Sequence, residues 1–254
     1  MKKIVTIANQ KGGVGKTTTA LCLTAQLNKM GHPALLIDAD CQCNSTDTYR
    51  AKTEGVATLY DLVVGDEPCS VYDAIQHAEI GDIIAGDRML TLAETELTGN
   101  GSFLKLRDAL RDLSGYEYVV IDTNPTLNTM LCNALAAADE VIIPLKPDRY
   151  TVMGLSELTN TIVAIQNELN PSLKIRGLLL VDVDKRTNQD RDVLAQLPAI
   201  AEEIGSTAFS TCIRRTSKCR EAQSARLPLT LYAPRCTASV DYKAFTEEFL
   251  KGDE

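Results

Sequence analysis

Two lysines, a pair of threonines and three aspartates have the types and spacing to act on a phosphate. The stretch Asn9-Gln10-Lys11-Gly12-Gly13-Val14-Gly15-Lys16-Thr17-Thr18 directly follows the apolar run Ile4-Val5-Thr6-Ile7-Ala8. Glycines let the backbone turn tightly enough for several N–H groups to face one point. A helix opening just behind them adds its N-terminal dipole, and together they make an anion site. In such a loop Lys16 reaches terminal phosphates and the Thr17 hydroxyl ligates Mg²⁺. Lys11 places a second cation beside the site. The usual phosphate-loop spacing asks for glycine at position 10, where Gln10 stands, and leaves Gly12, Gly13 and Gly15. The bland alternative is a glycine-rich turn between a strand and a helix. Gly15-Lys16-Thr17 in that setting favours the phosphate loop.

The segment Ile37-Asp38-Ala39-Asp40-Cys41-Gln42-Cys43-Asn44-Ser45-Thr46 puts two carboxylates at the tip of an apolar run. Beside a triphosphate, one can hold the metal through its water shell and the other can orient or deprotonate an attacking water. An acidic turn that merely caps a strand is the competing reading. Tyr118-Val119-Val120-Ile121-Asp122 repeats the pattern, and Asp122 is expected to hold Mg²⁺ through water. Alone, an aspartate ending a strand is more often a cap than a ligand; the other two motifs give it weight.

Strands and helices must alternate to bring these tips together. Apolar runs predict strands at residues 3–8, 34–37, 82–85, 118–121, 140–144 and 175–181, with a weaker one at 207–213. Helical spacing predicts helices at 17–30, 103–113, 127–137, 151–169, 191–204 and 241–250. Runs such as Tyr118–Ile121 are apolar on both faces, which marks a parallel sheet covered on both sides. The expected fold is α/β, a doubly wound, mostly parallel sheet flanked by helices, in one domain over residues 1–254. Residues 86–101 read as a surface excursion, although Leu90, Leu92 and Leu97 suggest packing. The ligand belongs at the carboxyl ends of the strands.

Composition narrows the classes. Of 254 residues, 44% are hydrophobic and 24% charged, which suits a soluble globular protein. The chain has no tryptophan and only 5% aromatics, so its core must be mostly aliphatic. A net charge of −8 and a pI near 4.9 exclude a passive polycation that coats nucleic acid. Met1-Lys2-Lys3 runs straight into a strand pattern, so neither a signal peptide nor a membrane span is expected. The expected compartment is the cytoplasm, where the eight scattered cysteines read as reduced thiols. Cys41-Gln42-Cys43 is the only close pair, and its place in a functional loop keeps redox or metal chemistry open there.

The run Lys11 to Thr18 resembles the deviant Walker-A loop, Lys-Gly-Gly-x-Gly-Lys-Thr-Thr, of the ParA/MinD group of P-loop NTPases. The resemblance implies that Lys11 is a signature lysine reaching a partner subunit's nucleotide. The segment from Asp38 resembles switch I, with Cys41 in place of proline, and implies that Asp40 is the hydrolytic residue and Asp38 a metal-site residue. Asp122 resembles a Walker-B aspartate. Thr123-Asn124-Pro125-Thr126 stands as switch II, where the family usually has two prolines. Asp184-Lys185-Arg186-Thr187-Asn188 and Ile213-Arg214-Arg215-Thr216-Ser217-Lys218-Cys219-Arg220-Glu221-Ala222 resemble two later family segments. In the second, Arg214 replaces proline and Lys218 replaces arginine. The likeness runs from Lys2 to about Leu250 and is nearest to the short ParA/Soj partition ATPases. It implies a catalytic set of Lys11, Lys16 and Asp40, ATP/ADP held by residues Lys11 to Thr18, and Mg²⁺ at Thr17, Asp38 and Asp122. It also implies an ATP-dependent homodimer, non-specific DNA bound through Arg186, Arg215 and Lys218, nucleoid association and a ParB-like centromere-binding partner.

Between Cys212 and Cys236, Arg214, Arg215, Lys218, Arg220, Arg226 and Arg235 face the single acid Glu221, an asymmetry in an acidic chain. The bland reading is a solvated surface or internal ion pairs. No aromatic lies among them before Tyr232, so phosphate contact rather than base stacking is expected. A MinD-like membrane-cycling ATPase needs a basic amphipathic C-terminus, whereas this chain ends in the acidic Phe245 to Glu254. An iron–sulfur carrier needs paired cluster cysteines, and none has the spacing. A non-catalytic nucleotide-binding scaffold stays open because Cys41 and Asn124 alter both switches.

Overall fold

β1 (Lys3–Ile7) is apolar on both faces and lies inside the sheet, hydrogen-bonded on one side to β5 (Tyr118–Thr123) and on the other to β6 (Glu140–Leu145). The computed structural model describes residues 2–65, 69–99, 101–148 and 151–252. With β2 (Ala34–Ala39), β3 (Ile75–Ala78), β4 (Gly81–Ile84) and β7 (Lys174–Leu180), the strands run in the order β3-β4-β2-β5-β1-β6-β7. All pairs are parallel except β3 with β4. The chain therefore winds outward from β1 in one direction and crosses to the other after β5. Loops part at that switch point and leave a crevice at the carboxyl ends.

Alternate residues of each strand face opposite layers. Leu35, Ile37, Val119, Ile121, Val141 and Ile143 pack with Leu131 and Leu135 of helix Thr129–Ala137 and with Leu158 and Ile162 of helix Thr151–Glu168. Val5, Ile7, Leu36, Val120 and Ile142 pack on the other side with Leu23 and Leu27 of helix Lys16–Lys29. There the final helix, Thr237–Lys251, adds Tyr242, Phe245 and Phe249. Three of the four phenylalanines meet here, with the Phe209 and Phe245 rings edge-to-face at 4.8 Å. The aliphatic core expected from composition thus carries one aromatic cluster, which fixes the last helix against the sheet.

The principal strands and helices fall close to expectation; short helices such as Asn44–Tyr49 and Lys218–Ala225 were not expected, and three further differences have a local cause. Residues 207–213 form no strand. Phe209 and Ile213 bond to β7 backbone, but the amides of Ser210 and Thr211 between them donate to the Glu248 carboxylate at 2.6 and 2.9 Å. The segment is pulled off the sheet edge and touches it only at isolated bridges. The predicted helix 103–113 shortens to a 3₁₀ turn and helix Lys105–Ala109. It ends where the Lys2 ammonium takes the carbonyls of Leu110, Arg111 and Leu113. β3, which no apolar run signals, forms an antiparallel edge. In the excursion after Gly86, Leu90 is buried while Leu92 is exposed.

Candidate active site

β1, β2 and β5 end level with one another. Asp122 stands opposite Ile7 in one register and opposite Asp38 in the next, so the glycine loop and two carboxylates emerge side by side. The loop turns through Gly13 and Gly15 at φ of 72° and 84°, and helix Lys16–Lys29 begins at once. At Gly15 a side chain would be strained by that φ, although a Cβ would only touch Val181 at an ordinary 3.4 Å. Lys16 is 7% exposed and donates to the Lys11 carbonyl at 3.3 Å. Burial lowers its pKa, and the charges of Asp122 and Asp40 partly restore it.

Asp122 is fully buried. Its Oδ2 accepts from the Ser45 hydroxyl at 2.8 Å, while Oδ1 has no hydrogen-bond partner. Burial, then the neighbouring Asp38 charge, pushes its pKa well above the usual carboxylate range, against the pull of the Ser45 and Thr17 hydroxyls. A buried, unpaired carboxylate oxygen is costly unless a cation or its water occupies the position. With the Thr17 hydroxyl beside it, this donor set fits a hydrated divalent cation.

Asp38 is also fully buried, but its oxygens are engaged. Oδ2 accepts from the Thr46 amide at 2.8 Å and the Thr46 hydroxyl at 2.7 Å, and Oδ1 from the Asp40 amide at 3.2 Å. Burial raises its pKa too. In this arrangement Asp38 fastens the turn that carries Asp40 to helix Asn44–Tyr49. Gly86 closes on it from behind, where a Cβ would lie 2.7 Å from the Asp38 carbonyl. Asp40 is 6% exposed and its Oδ1 accepts from the Gln42 amide at 2.9 Å. Lys11 is exposed, and its ammonium is paired with Asp148.

Beside the loop lies a cleft of about 600 Å³. Gly13, Gly15 and Thr18 form one wall and residues 213–217 another, and the rest of the lining includes Lys146, Asp182 and Tyr242. These last three were not signalled by any motif, since they come from strand ends and a helix far apart in the chain. Asp182, at φ 61°, is one of four non-glycine residues with positive φ among the described residues, and φ is invisible in a sequence.

Four of the six basic residues of the late segment are paired with acids. Arg215 meets Asp182 at 3.1 Å, Lys218 meets Glu221 at 2.7 Å, Arg226 meets Asp47 at 3.0 Å and Arg214 meets Asp241 at 2.7 Å. Arg186 forks onto Asp184. Only Glu221 among these acids lies within the segment; the others fold in from elsewhere.

Residues 2–175 match the family model described as an AAA domain. A chromosome partitioning protein ParA from Caulobacter vibrioides is 38% identical over 256 residues, covering 98% of this chain and 94% of its own length. A putative plasmid partition protein from Borrelia burgdorferi, solved bound to AMPPNP, superposes with a TM-score of 0.83 at 28% identity, over 99% of this chain and all of its own. A cobyrinic acid a,c-diamide synthase from Mycobacterium smegmatis, solved with an ATP analogue and magnesium, gives 0.84 at 28% identity, over 99% of this chain and 95% of that one.

Proposed function

The chain belongs to the ParA family of partition ATPases, and from that premise we propose that it is a dimerising Mg²⁺·ATP-dependent ATPase of DNA segregation. On this reading the ATP-bound dimer holds DNA without sequence preference and lets go on hydrolysis. The observation that carries the nucleotide reading is the meeting of Lys16, Thr17, Asp40 and Asp122 at the carboxyl ends of three adjacent strands. Two relatives of the same fold were solved with ATP analogues, one of them with magnesium.

In this assignment the loop amides from Gly12 to Thr18 and the Lys16 ammonium hold the phosphates. Thr17 and Asp122 would hold Mg²⁺, which would supply charge neutralisation on the phosphate oxygens. Asp38 fastens switch I and would contribute to the metal site through a water of the ion's shell. Asp40 orients the attacking water and takes its proton. Lys11 is bound to Asp148 within the subunit and must leave it to meet a partner's phosphate. Lys11→Ala is therefore expected to bind nucleotide but stay monomeric with a slowly hydrolysed ATP analogue, as read by light scattering.

The final helix buries Tyr242, Phe245 and Phe249 in the core, so its apolar face is not available to a bilayer. Among the described residues no helix is long and apolar enough to cross a membrane.

DNA is assigned to Arg186, Arg215 and Lys218, as the family resemblance implies. The three cations are exposed, and surface pairs of this kind yield readily to a phosphate. Because Arg215 also lines the cleft, the cleaner test is Arg186→Glu with Lys218→Glu. Two cations lost from each subunit of a dimer should flatten the log–log salt slope of binding by about 3 to 4 and abolish band shifts of random duplex at moderate salt. Unchanged shifts in that variant would move the DNA surface elsewhere. No shift by the wild type with ATP would remove DNA from the reading.

A further inference from the structure

Where the family places proline between Ile213 and Arg215, this chain has Arg214, a swap that frees the backbone. The structure places a compensating contact there. The Arg214 amide donates to Asp241 Oδ2 at 2.9 Å, Nε donates to the same oxygen at 2.8 Å, and Nη2 donates to Oδ1 at 2.7 Å. One carboxylate thus fixes both the backbone and the side chain of the residue. Asp241 is only 9% exposed, so solvent screens the pair less than it screens the surface pairs nearby.

The contact is one link of a bracket. Asp241 sits in the final helix next to Tyr242, whose hydroxyl lies 3.1 Å from Thr19 Oγ1 in the helix that begins at Lys16. On its other side the 213–215 loop is tied to Val183, which donates to the Ile213 carbonyl at 3.0 Å and accepts from the Arg215 amide at 2.9 Å. Arg214 and Tyr242 both line the 600 Å³ cleft beside the glycine loop. The wall opposite the phosphate loop is therefore held through Asp241 to the same helix that presents Lys16.

We propose that Arg214 and Asp241 are a positioning pair for the base-side wall of the nucleotide site, doing with a forked ion pair what proline does covalently. The inference rests on reading the cleft as the place of the nucleoside. A planar guanidinium bound at two points, plus the amide, leaves the loop little freedom, and a wall fixed before binding costs less to order on binding. The glycine loop is positioned independently by β1 and its own helix. Loss of the pair should therefore weaken contacts to base and ribose and spare contacts to phosphate.

Asp241→Asn is the direct test. It keeps a similar shape and one acceptor but sets an amide donor against the guanidinium. Calorimetry with Mg²⁺·ATP and with inorganic tripolyphosphate separates the two sides of the site. The expected result is ATP binding weakened about tenfold with tripolyphosphate binding as in the wild type. Arg214→Lys retains the charge and loses the fork. It should give a smaller loss of the same selective kind, and it carries the test if Asp241→Asn does not fold by circular dichroism. Equal loss for both ligands, or no loss for either, overturns the pair's role while the site reading stands. A wild type that binds tripolyphosphate and ATP equally, or neither, overturns the nucleoside assignment of the cleft and the pair with it.

Discussion

Lys16→Ala is expected to bind Mg²⁺·ATP about a hundredfold more weakly than the wild type, a loss of roughly 3 kcal/mol. Lys16 is the only buried lysine among the described residues, and it stands close to Asp40 and Asp122. Removing it deletes the donor aimed at the phosphates and also leaves the buried carboxylates to repel an incoming anion. The two effects act in one direction. The fold itself should not suffer. Lysine in the first turn of a helix opposes the dipole, and alanine is the better helix former. The nucleotide-free variant should melt at the wild-type temperature or a few degrees above it, while the stabilisation produced by ATP disappears. Calorimetry that finds ATP affinity unchanged would remove Lys16 from the site. A lowered melting temperature without ligand would show that its role was in the fold.

The part of this site that was legible in the sequence is the part made of single continuous segments. β1, its glycines and the helix after them form one stretch, and apolar runs ending in Asp38 and Asp122 announce strand tips. The register that sets those tips side by side follows from the parallel order of β2, β5 and β1. Helix Asn44–Tyr49 was not legible, because Asn-Ser-Thr-Asp-Thr-Tyr carries poor helix formers and no apolar spacing. It exists because Asp38 and Asp122 hold Thr46 and Ser45 at its first turn. Helix Lys218–Ala225 was hidden likewise, since Ala222 is its only buried residue. A window of sequence made residues 212–236 look strongly basic. Asp182, Asp241 and Asp47 arrive from other elements and pair with Arg215, Arg214 and Arg226, so the surplus is smaller than the count suggested. The DNA reading thus leans on the exposed cations that a phosphate can detach from their partners.

Asp40→Asn is expected to keep Mg²⁺·ATP and lose its turnover. The asparagine oxygen can still accept from the Gln42 amide, so the turn from Asp40 to Cys43 survives, and Asp38 continues to hold it to Thr46. What asparagine lacks is a base. If Asp40 accepts the proton of the attacking water, hydrolysis should fall by about 10²- to 10⁴-fold, the usual contribution of general acid–base catalysis. Binding should move the other way. Asp38, Asp40 and Asp122 crowd one anion site, and removing one negative charge lowers the repulsion felt by a triphosphate, so the dissociation constant for ATP should fall or hold. Asp40→Ala should behave alike in chemistry but bind less tightly than Asn, since it also gives up the turn's hydrogen bond, a contribution of about 1 kcal/mol. Single-turnover hydrolysis beside calorimetry reads both quantities, and light scattering should find the ATP-bound dimer accumulating in both variants. Wild-type turnover in Asp40→Asn would assign the proton to another group. Loss of ATP binding in that variant would make Asp40 a part of the binding site rather than its base.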